Sequence, residues 1–235
     1  MTTTALSGIR RTPLRGMRAM IAGAMRKSLD EAAQLSHQGE CDVTALLEHK
    51  AALAEAGIRV SLEDLLAHGL IRALRRHPLL NGRLEGNEIL HYDAVHLSFA
   101  MALSETQLVA PALFDAERLS LTELAAARKA LVARARAGRL SVSEMTGGTF
   151  TLTNLGRSRV RFFTPVVNLP QLAILGIGET RRAPVVGADG ETRLRSLMGL
   201  SLTFDHRAVD GGPAAAFFDT LCRLLEGEPD EPAQP

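Results

Sequence analysis

The chain has 235 residues, 46% of them apolar and 23% charged, the mix of a globular protein of one large domain or two small ones. Lys plus Arg number 27 against 26 Asp plus Glu, for a net charge of +1, and Tyr92 is the one tyrosine in a chain without tryptophan, so a uniformly basic or aromatic-faced nucleic-acid binder is excluded. No apolar run approaches the ~20 residues that cross a bilayer. Two cysteines, Cys41 and Cys222, make neither a disulfide framework nor a Cys-rich zinc site; they read as buried thiols of a reducing compartment, taken as the cytoplasm.

The start of the chain is Arg-rich and free of acids before Asp30, the composition of a mitochondrial transit peptide. Met17, Met20, Ile21, Ala24 and Met25 nevertheless share one helical face. The segment therefore reads as a flexible stretch over 1–15 and a basic amphipathic helix from Arg18 to Ala33. Leu35 to Val43 alternates as a strand, and Asp42 is placed to cap a helix that ends at Gly57. Ser61 and Asp64 have capping-box spacing, and the helix they open stops at His77-Pro78. Short strands near Leu80–Leu84 and Glu88–Tyr92 flank the turn Glu85-Gly86-Asn87. Further strands fit Val95–Leu103 and Leu108–Leu113. Ser120 and Glu123 box an Ala-rich helix that ends at Gly138. Strands follow at Thr149–Asn154, Leu172–Ile177 and Leu197–Asp205, with a turn at Ala188-Asp189-Gly190 between the last two. A final amphipathic helix runs from Gly212 to Leu225, and an acidic, Pro-rich tail over 228–235 reads as disordered. Strands and helices mix without βαβ alternation or an internal repeat, which predicts an α+β domain over 16–227.

Six of the seven histidines stand singly in strand or helix patterns, and no pair has the spacing of a helical metal site, so no metal is expected. His206 differs. It follows the apolar strand positions Leu200, Leu202 and Phe204 and precedes a Gly-rich turn, which puts an imidazole at a strand terminus. The sequence has no Gly-x-Ser-x-Gly elbow, phosphate loop or complete dinucleotide fingerprint. A lone histidine without a protein nucleophile fits direct transfer, in which the base deprotonates a bound hydroxyl or thiol that attacks an acyl donor.

The segment Asp205-His206-Arg207-Ala208-Val209-Asp210-Gly211 resembles the Asp-His-Arg-x-x-Asp-Gly motif of the 2-oxoacid dehydrogenase acyltransferases, the E2 catalytic domains. Two further segments agree in order: Gly147 to Gly156, and Phe163 to Pro170 running on to Ala173–Gly176. Weaker matches are Arg18-x-x-Ile21-Ala22-x-x-Met25, His77-Pro78-x-x-Asn81 and Ser120-Leu121 with Glu123-Leu124. The resemblance implies a chloramphenicol-acetyltransferase-like fold, a mixed sheet flanked by helices, in homotrimers with active sites at subunit interfaces. It implies His206 as general base, Asp210 as support for its loop and Thr153 as hydrogen-bond donor to the tetrahedral oxyanion. Asn154, and less securely Lys50 and Ser61, match CoA-contact positions.

The departures from the family bear on function. The chain shows neither a lipoyl Asp-Lys-Ala segment nor a subunit-binding domain, so no covalently bound lipoate is expected. Leu103 stands where relatives often carry Asp, and Arg157, Arg159, Val160 and Arg161 make a basic loop where relatives have glycines. The main expectation is O-acetylation of a small-molecule alcohol by acetyl-CoA in bacterial secondary metabolism, on a tetronate-type acceptor for example. The alternatives are acyl exchange between CoA and lipoamide supplied in trans by a lipoyl or carrier protein, and a non-catalytic trimeric scaffold.

Overall fold

The computed structural model describes residues 11–104 and 107–227. The predicted acidic tail, the first ten residues of the predicted flexible start, and two residues of the loop after Leu103 lie outside these. Residues 11–15 are irregular and exposed.

Helix α1 (Met17–Glu31) leads into strand β1 (Gln34–Asp42) and helix α2 (Thr44–Glu55). Asp42 is not the N-cap of α2: Val43 is, without a side-chain capping bond, and the Asp42 carboxylate, one residue further out, accepts from the Thr44 amide at 3.0 Å. Gly57, at φ 80°, ends that helix in the left-handed region that glycine tolerates. Helix α3 (Leu62–Arg76) opens with the predicted Ser61–Asp64 capping box and stops before Pro78. A small hairpin, β2 (Gly82–Glu85) and β3 (Glu88–His91), turns at Gly86. Strand β4 (Leu97–Ser104) pairs with two short strands, β5 (Gln107–Val109) and β6 (Ala112–Leu113), where the sequence reads one. Pro111, without an N–H for the ladder, falls in the break.

Helix α4 (Leu121–Arg136) carries the Ser120–Glu123 box. The five-residue helix α5 (Val142–Thr146), opened by a third box at Ser141 and Glu144, escaped the sequence reading. Strand β7 (Phe150–Asn154) precedes a long hairpin of β8 (Ala173–Val186) and β9 (Thr192–Asp205), and helix α6 (Gly211–Glu226) closes the fold.

The main sheet runs β1-β9-β8-β7-β4-β5, with β6 on β4. The pairs β4–β7 and β7–β8 are parallel and the others antiparallel. One face of the sheet packs on helices. Leu152, Leu175, Leu200, Leu202 and Phe204 meet Leu70 and Leu74 of α3 and Phe217 and Leu221 of α6 in one buried cluster. Each such side chain contributes about 1.5–3 kcal/mol when removed from water. The other face carries smaller side chains under the segment 157–168. At Gly176 an added Cβ would lie 2.5 Å from the Phe163 ring, so glycine there makes room for the ring against the sheet.

Candidate active site

His206 stands one residue beyond β9, in a turn closed by the Ala208 and Val209 amides donating to the Asp205 carbonyl. Its own amide donates to the Ala33 carbonyl at 2.8 Å. The Asp205 carboxylate is buried and accepts from the Arg207 amide, Nε and Nη2 and from the Ala33 amide. Burial alone pushes this carboxyl up. The Arg207 hydrogen bonds and charge outweigh that and hold it below its ordinary value. The Asp-His-Arg tripeptide is thus a lock with the imidazole on its outer side, 44% exposed. Asp210 is the N-cap residue of α6, yet its side chain makes no capping bond. Its carboxylate lies 3.7 Å from His206 Nδ1, beyond a hydrogen bond.

Thr153 is half-buried on β7, level with Gly176 on β8, which is level with Ser201 on β9. His206 lies two strands across and five residues along from it, roughly 19 Å away at standard strand spacing and rise. One subunit therefore does not bring the two predicted catalytic residues together. Asn154 follows Thr153 and points to the opposite face, toward α3. There its Nδ2 donates to Glu63 Oε1 at 3.2 Å, while its Oδ1 accepts from the Gly156 amide at 2.8 Å.

The three predicted CoA-contact residues do come together, on two adjoining clefts. Lys50 and Ser61 line a cleft of about 1100 Å³ between the end of α2, the segment 58–62 and one face of α4. Ser61 and Asn154 line a second, of about 660 Å³, which also takes in Arg157 and Thr180 and rounds the carboxyl end of β7. Ser61, Leu62 and Arg128 belong to both. Lys50, Arg59, Lys129 and Arg136 of the first cleft make no side-chain ion pair with another described residue. Ser61 Oγ is committed to structure: it donates to Asp64 Oδ2 and accepts from the Asp64 amide and from Arg128 Nη2. Burial raises the Asp64 carboxyl, but hydrogen bonds from Arg128 and Ser61 more than reverse this and leave it below its ordinary value. The sequence reading missed Arg59, Glu63, Arg128, Lys129 and Arg136. A regular pattern in the sequence held part of this: Ala125, Ala126, Lys129, Val132, Ala133 and Arg136 lie on one helical face, small or cationic throughout.

The basic loop is clamped to the sheet. The Glu179 amide donates to the Val160 carbonyl at 2.8 Å, and the Arg161 carbonyl lies 2.0 Å from where a Cβ would stand on either Gly178 or Gly199. Arg161 and Arg181 pair with Glu40, while Arg157 lines the second cleft. Among the described residues no cluster of His, Cys, Asp or Glu could hold a metal ion, and no helix is long and apolar enough to cross a membrane.

The fold defines the class: a chloramphenicol-acetyltransferase-like α+β domain. A chloramphenicol acetyltransferase structure superposes with a TM-score of 0.57 over 86% of this chain and 94% of that one, at 14% identity, a likeness of fold alone. The family model of the 2-oxoacid dehydrogenases acyltransferase catalytic domain matches residues 7–233, and the chain belongs to that family.

The chain is 40% identical over 220 residues to the dihydrolipoyllysine-residue acetyltransferase component of the acetoin cleaving system of Bacillus subtilis, covering 91% of this chain and 54% of that protein. It is 34% identical over 233 residues to a probable dihydrolipoyllysine-residue succinyltransferase component of the mitochondrial 2-oxoglutarate dehydrogenase complex of Schizosaccharomyces pombe, covering 95% and 50%. Among solved structures, the dihydrolipoamide acetyltransferase of Azotobacter vinelandii superposes with a TM-score of 0.87 at 27% identity over 97% of each chain. In that enzyme a serine, a histidine and an asparagine were studied for their roles in catalysis. The chain spans about half the length of the curated relatives it matches.

These relatives overturn the expectation of O-acetylation of a small-molecule alcohol in secondary metabolism, since they are named for acyl transfer on dihydrolipoyl-lysine. That expectation leaned on the lack of a lipoyl segment. A chain matched from 7 to 233 by a catalytic-domain model carries no information about where the lipoyl group resides.

Proposed function

We propose that the chain transfers an acyl group, acetyl in the first instance, between a dihydrolipoyl thiol presented by another domain or protein and the thiol of CoA. The observation that carries this is the pairing of an Asp205–Arg207-locked His206 with a cation-lined double cleft, in a chain 40% identical to a dihydrolipoyllysine acetyltransferase component. The more distant S. pombe relative is named for succinyl, which is why acetyl is preferred here. In the A. vinelandii enzyme the studied histidine and asparagine stand four positions apart, as His206 and Asp210 do.

His206 takes the proton of the attacking thiol, and the sulfur adds to the thioester carbonyl. Thr153 donates to the resulting oxyanion, and collapse expels the other thiolate, which regains the proton from His206. Lys50, Arg59, Lys129 and Arg136 suit the phosphates of CoA, with the thiol arm passing Ser61 and Asn154. Because Thr153 and His206 lie far apart within a subunit, the reacting pair forms between copies, and a homotrimer is the assembly proposed.

The test is acetyl-CoA formation from S-acetyl-dihydrolipoamide and CoA by the purified chain. Wild type should turn over, and His206→Ala should lose about a thousandfold or more in kcat without changing assembly. Absence of transfer by the wild type, or near-normal turnover by His206→Ala, refutes the reading.

A further inference from the structure

We propose that Arg128 is a positioning residue of the CoA path: it masks the two carboxylates that line the path and, through one of them, fixes Asn154. The inference rests on the reading of the two clefts as that path. Six cations line the clefts, Lys50, Arg59, Arg128, Lys129, Arg136 and Arg157, and the carboxylates among their described lining residues are Asp64 in one and Glu63 in the other. A ligand that carries phosphates is repelled by a bare carboxylate on its route, and the repulsion is strongest where water is excluded. Arg128 takes both. Its Nε donates to Asp64 Oδ1, its Nη1 to Glu63 Oε2 at 2.6 Å and its Nη2 to Ser61 Oγ at 2.9 Å.

The guanidinium stands where the two clefts meet, and its side chain is only 15% exposed. It also lies 5.8 Å from the Phe99 ring centroid, so three hydrogen bonds and a ring hold the fork in one orientation. The second oxygen of Glu63 then accepts from Asn154, whose own oxygen accepts from the Gly156 amide. The chain of contacts runs from α4 through the first turn of α3 to the end of β7, next to the loop that carries Arg157. A lysine at 128 would keep the charge but lose the three-way grip.

The experiment is steady-state kinetics of the full chain with CoA and, as a phosphate-free acceptor, pantetheine. Arg128→Ala should raise KM for CoA by about tenfold or more, change kcat by less than about threefold, and move KM for pantetheine far less. Arg128→Lys should fall between wild type and Arg128→Ala. Adding Glu63→Gln to Arg128→Ala should bring KM for CoA back by about threefold, because the uncovered charge is gone; a merely structural role for Arg128 gives no such recovery. If Arg128→Ala does not fold, Arg128→Lys with and without Glu63→Gln makes the same comparison. Equal losses with CoA and pantetheine, or no recovery on adding Glu63→Gln, overturn the proposal. Calorimetric CoA binding separates it from the functional reading. A wild type that binds CoA but transfers nothing refutes the activity, while the Kd values of the variants still decide the role of Arg128; a wild type that does not bind CoA refutes both.

Discussion

Single residues set the turn that carries His206. His206 was legible because an apolar strand running into Asp-His-Arg and a glycine turn is a local pattern. What the pattern hid is the division of labour: Asp205 and Arg207 hold the turn, and Asp210 alone of the motif's carboxylates faces the imidazole. The Arg128 cluster was illegible for the opposite reason. Its partners Glu63 and Asp64 lie 65 and 64 positions away, and nothing local separates Arg128 from the free cation Lys129 beside it. The Asp205 lock makes a prediction with a sign. Arg207→Ala leaves a buried carboxylate with backbone donors only and should cost about 2 kcal/mol, discounted because Arg207 is itself partly exposed. Since the Asp205 carboxyl titrates below its ordinary value in the folded chain, its stabilisation is fully present above the ordinary carboxylate range and is lost as pH falls through the depressed value. Thermal melts should therefore show the gap between wild type and Arg207→Ala narrowing below about pH 4. A gap that stays constant down to acid unfolding contradicts the lock.

Elements were legible where their ends carry chemistry of their own. Both predicted capping boxes formed, and Gly57 and Gly138 close helices at positive φ. The third box was missed because a five-residue helix shows no periodicity. The β8–β9 hairpin is longer than predicted because its outer pairs, from Arg182 with Ser196 to Val186 with Thr192, lie beyond the apolar run and are held by backbone pairing that leaves little mark in the sequence. The basic loop could be seen but not placed, since its seat is made by two glycines on strands that follow it. That seat is testable. Gly199→Ala sets a methyl 2.0 Å from the Arg161 carbonyl oxygen, backbone that must move. The overpacking should cost about 1–3 kcal/mol, a fall in Tm of about 2–12 °C for a chain of this size. Gly23→Ala, in the open middle of α1, is the control and should leave Tm unchanged or slightly raised. Equal melting of the two variants would show that the loop lifts from the sheet without cost.

On the proposed reading, the whole molecule holds half of two sites. Strand order, which no local pattern states, puts Thr153 and His206 on β7 and beyond β9 with β8 between them, and at roughly 19 Å no side-chain motion joins them. If each site takes His206 from one copy and Thr153 from its neighbour, two variants that are inactive alone must complement. Thr153→Ala should lose about a hundredfold to a thousandfold in kcat, the cost of one oxyanion donor, and His206→Ala at least as much. Co-expressed in equal amounts, subunits carrying one or the other change assemble at random around a cyclic axis. An intact site then needs an unaltered His206 on one side and an unaltered Thr153 on the other, which random mixing supplies at about one interface in four. Mixed assemblies should recover about a quarter of wild-type kcat with KM for CoA unchanged at the active interfaces. Recovery no greater than the sum of the two single variants would place both residues of each site in one subunit, and the geometry of the chain would have to change on assembly to allow it.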